Sequence, residues 1–176
     1  MLARRADVTH PTMETEMSSS VQTVSAVPAA NGATPYLTVR NAPEAIDFYK
    51  KVFGAEQQLR LDAPDGVMHA ELTVGGAKFM LTEERSHCGA LSPLSLNGTA
   101  VCVIVYVPDV DATVKAAQAA GAKLEMPVAD QFWGDRMGQI ADPFGHKWMV
   151  ATHKEEVSEQ QLKERLAKMF AENQAH

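Results

Sequence analysis

The sequence predicts an α+β fold built from two tandem βαβββ modules and closed by a C-terminal helix, on three observations. The chain repeats itself: the Gly-Ala pairs Gly54-Ala55 and Gly121-Ala122 stand 121 − 54 = 67 residues apart, and Ala77-Lys78-Phe79-Met80 matches His146-Lys147-Trp148-Met149 at 149 − 80 = 69. Self-similarity of this kind speaks for architecture more strongly than any single propensity. In each copy a short apolar run precedes a capped amphipathic stretch, and period-two runs follow it. Turn residues then separate those runs: Gly75-Gly76 suits a two-residue hairpin with positive φ at both positions, and Asp142-Pro143-Phe144-Gly145 suits a type I turn.

In the first copy, residues 33–39 read as a strand, and Asn41-Ala42-Pro43-Glu44 opens a helix with proline in its first turn and an acid near the positive end of its dipole. Ile46, Tyr49 and Phe53 form its apolar stripe, and Gly54 ends it. Strands follow at about 56–61, 67–74 and 77–82. The second copy starts after a linker, with a strand at 100–107, a helix capped by Asp109 and ended by Gly121, and strands at 124–128, 135–141 and 147–152. The last helix, about 159–170, opens with a capping box between Ser158 and Gln161 and shows an apolar face of Leu162, Leu166, Met169 and Phe170. It is too short to be stable alone, so it docks either on its own domain or on a partner subunit.

Residues 1–31 are rich in Ser, Thr, Ala and Pro without sustained periodicity, and read as a disordered tail. Arg4 and Arg5 hint at a transit peptide, Asp7, Glu14 and Glu16 oppose it, and Met13 or Met17 is an alternative start. The domain proper spans 32–153, with modules at about 33–84 and 99–153, and 154–176 form an extension. With 176 residues, 45% hydrophobic, the chain can bury one real core, and a net charge of −6 leaves no basic footprint for nucleic acid or an anionic membrane surface. Cys88 and Cys102 stand in unlike contexts and build neither a disulfide framework nor a paired metal motif. No apolar run approaches a membrane span and the first thirty residues lack the apolar core of a secretory signal, so a cytoplasmic protein is expected.

The run YLTVRNAPEAIDFYKKVFGAE that opens the first module and DPFGHKWMVATH that closes the second resemble the vicinal oxygen chelate superfamily. The following of GDR by DPFGHKW resembles its PhnB-like, glyoxalase/bleomycin resistance protein branch. The resemblance covers about 33–153. It implies paired curved mixed sheets around a cleft and, as the common assembly, a homodimer. Metal-using members take His or Glu ligands from the first and last strand of each module, whereas the matching positions here are Thr34, Met80, Cys102 (or Val101) and Met149. Thioethers, a hydroxyl and a thiol make a poor site for hard divalent ions, so no metal and no cofactor is expected; a soft Cu(I) site from Met80, Met149 and Cys102 is the minor alternative to methionines that line a ligand pocket.

Pairing across Gly75-Gly76 sets Val74 opposite Ala77 and Glu71 opposite Met80, so Glu71, and His69 two residues away, share the cleft face with Met80. These groups can contact a polar ligand, transfer protons, or form an ordinary ion pair. In the second hairpin a two-residue loop pairs Gly138 with Met149 and a Gly145 bulge pairs Gln139 with Met149; only the first puts Arg136 on the cleft face. Trp133-Gly134-Asp135-Arg136 crowds an aromatic, a hinge and two charges together, as a ligand site or as a surface aromatic beside a local pair. His146 is expected to be exposed, and His87, His153 and His176 to be solvated. The candidate ligand-binding residues are therefore His69, Glu71, Met80, Trp133, Arg136 and Met149, with no catalytic set identified. The leading expectation is a small-molecule-binding protein of the glyoxalase/bleomycin resistance type, partnered by its ligand and a second copy of itself rather than by nucleic acid or a membrane. The alternatives are a metal-dependent lyase, isomerase or dioxygenase that has moved its ligands to His69, Glu71 and Glu83 or Asp135, and a regulatory or interaction subunit.

Overall fold

The computed structural model describes residues 33–173; the expected N-terminal tail lies outside them. The first module runs β1 (Tyr36–Val39), α1 (Ala42–Phe53), β2 (Glu56–Ala63), β3 (Gly66–Val74) and β4 (Ala77–Glu83). A 3-10 turn at Ser86–Cys88 and a one-turn helix, α2 (Pro93–Leu96), occupy the linker. The second module runs β5 (Cys102–Tyr106), α3 (Val110–Ala119), β6 (Lys123–Asp130), β7 (Asp135–Ala141) and β8 (Lys147–His153), and α4 (Glu159–Asn173) follows. Each module makes a four-stranded mixed sheet, ordered β1-β4-β3-β2 and β5-β8-β7-β6, with the first strand parallel to the last. The α+β architecture of two βαβββ units is thus the one expected. β1 begins at Tyr36 rather than residue 33 and β5 at Cys102 rather than residue 100, because only from there do the strands pair.

The ends of α1 and α3 explain why they stop where they do. Asn41 caps α1, accepting from the Glu44 amide, and Glu83 of β4 takes the Asn41 and Ala42 amides at 2.6 and 2.9 Å. Glu83 therefore satisfies a helix N-terminus and is unavailable as a relocated ligand. At the other end of α3, the Ala122 amide reaches Ala117 O and the Gly121 amide reaches Gln118 O, both at 3.0 Å. That is a Schellman pair, and it needs the positive φ (96°) that Gly121 supplies.

One core serves both modules. Alternate residues of the strands (Val39, Leu72, Phe79, Leu81, Val105, Ile140, Trp148, Val150) meet Ile46, Tyr49 and Phe53 of α1 and Val110, Val114 and Ala117 of α3. Trp148 of β8 lies 4.8 Å from Phe53 and 5.3 Å from Tyr49, ring centre to ring centre, so α1 of the first module covers a strand of the second. Asp142 fixes this junction: its carboxylate, 5% exposed, accepts from Tyr49 Oη at 2.8 Å, Trp148 Nε1 at 2.9 Å, and the Phe144 and His146 amides at 2.9 Å each. His146, expected to be exposed, is half-buried with Nε2 3.0 Å from the Thr38 carbonyl of β1.

With both helices on one side, the opposite face of each sheet is left open. Tyr36, Leu59, Leu61, Ile104 and Tyr106 stand exposed there or at its edges. The C-terminal helix opens with the expected capping box, Ser158 N to Gln161 Oε1 at 3.0 Å and Gln161 N to Ser158 Oγ at 3.3 Å. It is fastened to its own domain by Arg165, which donates to Phe132 O at 3.2 Å.

Candidate functional site

The register of β3 against β4 is the one the Gly-Gly turn demands: Val74 opposite Ala77 and Glu71 opposite Met80. Parallel pairing adds Tyr36 beside Met80, and β2 adds Leu59 beside Glu71. The open face of the first sheet is therefore crossed by one row, Tyr36, Met80, Glu71 and Leu59. The second sheet carries its counterpart: Ile104 beside Met149, Met149 beside Gln139, and Gln139 beside Met126. Each row has a thioether at its centre and one polar group among three apolar ones. Tyr36 and Ile104, absent from the sequence-based set, are found by extending the parity of Met80 and Met149 across the parallel ladder.

His69 lies one step along from Glu71. Its Nε2 is 3.5 Å from Glu71 Oε1 and its Nδ1 is 3.2 Å from Tyr36 Oη. Lys78 Nζ approaches the other Glu71 oxygen at 2.5 Å, and that bond, with His69 behind it, holds the Glu71 carboxyl below the usual range. On the second sheet Gln139 Nε2 donates to Glu125 Oε2 at 2.6 Å and Lys147 sits 3.1 Å from the same oxygen; together they lower the Glu125 carboxyl. The polar groups thus form two paired clusters beside apolar rows. Between β1 and β5, a groove of about 750 Å³ runs along the linker, lined by Tyr36, Leu91, Leu96, Val101 and Ile104 among others.

Arg136 is not on the open face. The observed hairpin closes through Pro143-Phe144-Gly145, with Asp142 N bonded to His146 O and Gln139 opposite Met149. Gly145 takes φ 89° and supplies the bulge. Arg136 consequently faces the helix side, where Nε and Nη2 engage Asp111 of α3 at 2.7 and 2.9 Å and Nη1 engages Asp130 at 3.1 Å. Nor do Asp135 and Arg136 pair locally. Asp135 turns to the open face, 6% exposed, and accepts from Tyr106 Oη at 2.9 Å, Trp133 Nε1 at 3.1 Å and His153 Nδ1 at 2.9 Å. His153 is exposed as expected, its side chain 48% accessible, yet its Nδ1 is held by Asp135; no local pattern announces a contact 18 residues away. Of the named residues, His69, Glu71 and Met80 come together on the first sheet, and Met149 holds the matching place on the second. Trp133 sits at the far end beside Asp135.

The donors do not suit a divalent ion. Met80 and Met149 occupy the row centres, and burial pushes the Cys102 thiol up, away from the thiolate a metal needs. Glu71 is occupied by an ammonium, which repels a cation, while Glu83 caps α1 and Asp135 belongs to the other sheet. Among the described residues no three His, Cys, Asp or Glu side chains are grouped to hold an ion.

The glyoxalase/bleomycin resistance protein/dioxygenase superfamily model matches residues 29–150. The chain belongs to this superfamily. Its relatives include uncharacterized proteins of Mycobacterium bovis and Mycobacterium tuberculosis, each 43% identical over 129 residues, which is 71% of this chain and 85% or 76% of theirs. Among solved structures it is similar to TioX from Micromonospora sp. ML1 (29% identity, TM-score 0.53, 72% of this chain and 99% of that one). A gene product of Arabidopsis thaliana is similar at 27% identity and TM-score 0.56, over 69% and 98% of the two chains. The manganese-bound fosfomycin resistance protein FosX of Listeria monocytogenes, 17% identical with TM-score 0.55 over 77% and 98%, shares the fold.

Proposed function

We propose that this member of the superfamily is a small-molecule-binding protein of the PhnB-like, bleomycin resistance branch that works without the metal site of its metal-using relatives. The observation that carries the reading is the pair of equivalent rows, Tyr36-Met80-Glu71-Leu59 and Ile104-Met149-Gln139-Met126. Apolar surface with a few fixed polar groups is what an uncharged or anionic organic ligand requires, and unbranched methionines adapt to its shape. The branch assignment rests on the GDR and DPFGHKW runs. No helix among the described residues is long and apolar enough to cross a membrane, and the acidic net charge gives nucleic acid no footprint.

A second copy of the chain is the partner. Single-layer faces carrying Tyr36, Leu59, Leu61, Ile104 and Tyr106 in the open are covered in a homodimer, which turns each exposed face into the wall of a cleft. Chelator-dialysed protein, screened by thermal shift against uncharged and anionic aromatic compounds, should keep its hits, and it should sediment as a dimer. His69→Ala and Glu71→Ala should each weaken those hits by about 1 kcal/mol, the worth of a lost hydrogen bond. Binding that disappears on chelation and returns with one added divalent ion would overturn the reading, as would wild-type affinity in both variants.

A further inference from the structure

His153, the last residue of β8, is held between two carboxylates: Nδ1 lies 2.9 Å from Asp135 Oδ1 and Nε2 lies 3.3 Å from Glu156 Oε1. Carboxylates only accept, and a neutral imidazole carries a single N–H, so a neutral ring satisfies one partner and turns a lone pair on the other. Only the imidazolium donates to both. His69 is a useful contrast, since Tyr36 can donate to its Nδ1 while Nε2–H points to Glu71, and a neutral ring meets both contacts. The surroundings of His153 agree with a cation. The Asp135 bond first, then the charge of Glu156, raise the imidazole above its ordinary value. The remaining neighbours are Tyr106 and Trp133, neutral donors to Asp135, and the arm residues Lys154 and Glu155, the latter paired with Arg165; Asp130 lines a hollow with Asp135, Lys154 and Glu155.

What His153 borders is the C-terminal arm, residues 154–173. The Lys154 and Glu155 amides both donate to Gly134 O, at 2.9 and 3.1 Å, and Arg165 grips Glu155 at 2.6 and 3.3 Å. Gly134 approaches so closely that a Cβ there would stand 2.3 Å from Glu155 O. The arm is thus pinned to the 131–134 loop, which carries Trp133. α4 adds little apolar hold of its own, with Leu162, Leu166 and Met169 half-buried and Phe170 exposed.

We propose that His153 is a proton-operated latch: its imidazolium ties the C-terminal arm to Asp135 through Glu156, and its deprotonation releases Glu156 and loosens the arm and the Trp133 loop. Because the folded-state pKa is raised, the latch is fully closed below the unfolded imidazole value and is lost as pH rises through the folded one.

The test is hydrogen exchange of the full-length protein by mass spectrometry from about pH 5.5 to about pH 9, with rates corrected for intrinsic exchange. Protection of a peptide spanning 153–158 should fall about two- to five-fold across the His153 titration, the factor that an exposed ion pair supplies. His153→Gln should remove the step. Glu156→Gln, at an almost fully exposed side chain that leaves the core untouched, should shrink it and move its midpoint to lower pH. Glu164→Gln, elsewhere on the arm, should keep the wild-type profile. A flat wild-type profile, or a step that survives in His153→Gln, would overturn the latch; a purely structural His153 would lower protection equally at every pH.

Discussion

Asp142 ties the two modules together, and its removal should cost the protein much of its stability. In Asp142→Ala the hydroxyl of Tyr49 and the indole N–H of Trp148 are both left buried without an acceptor. Burial, and then the Asp142 charge, hold the Tyr49 phenol well above its usual range, so it is a donor at any working pH. Each orphaned donor costs about 1–3 kcal/mol, so the two together cost about 2–6 kcal/mol, and the hairpin's lost bonds to the Phe144 and His146 amides add to that. Against a total of roughly 5–15 kcal/mol for a domain, that is severe. Asp142→Asn separates the contributions: its oxygen can keep the turn bonds and Tyr49 can rotate to accept, but the amide nitrogen faces the Trp148 donor, at a cost of about 1–3 kcal/mol. Urea unfolding followed by circular dichroism gives both values. Tyr49→Phe in the alanine background removes one orphan and should return about 1–3 kcal/mol of the loss. A cost for Asp142→Ala below about 1 kcal/mol, or additivity with Tyr49→Phe, would refute the reasoning.

Gly121→Val should destabilise by roughly 1 kcal/mol or more and lower Tm, because φ 96° is closed to a β-branched residue and the Schellman bonds depend on it; an unchanged Tm would mean the helix end tolerates rearrangement. Hydrogen bonds from Ser92 and Ser95 push the Glu84 carboxyl down to about 2, so its contribution is whole above the unfolded value of about 4.5 and is lost as pH falls through about 2. Glu84→Gln should therefore be less stable at neutral pH and show a shallower loss of Tm on acidification across that window; a wild-type acid profile would sink the assignment.

The parts of the fold legible in the sequence are those governed by neighbours in the chain. Asn41 and Asp109 as caps, Gly54 and Gly121 as helix ends, and the two glycines at 75 and 76 with φ 56° and 82° act over a few residues. Local rules suffice for them. The register of β3 and β4 followed from that turn alone, and with it the placing of His69 and Glu71 beside Met80.

The second hairpin shows where such reasoning ends. A two-residue loop offsets the strands before and after it from their first-module counterparts by 67 and 69 residues, and the observed three-residue loop by 68 and 69, measured from Glu71 to Gln139 and from Met80 to Met149. Neither pair of offsets is the more natural, so the repeat leaves the choice open. It is made by Asp142, whose side chain bonds the Phe144 and His146 amides while Tyr49 and Trp148 hold it in the core. The partner that decides the hairpin is therefore Tyr49, 93 residues earlier in the chain. Once Gly145 has taken the bulge, the parity of β7 is set: Arg136 goes to α3, and Asp135 to the open face beside His153. The identity of the groups on that face is thus a consequence of packing between modules, which is why the second half of the site could not be read from strand pattern alone.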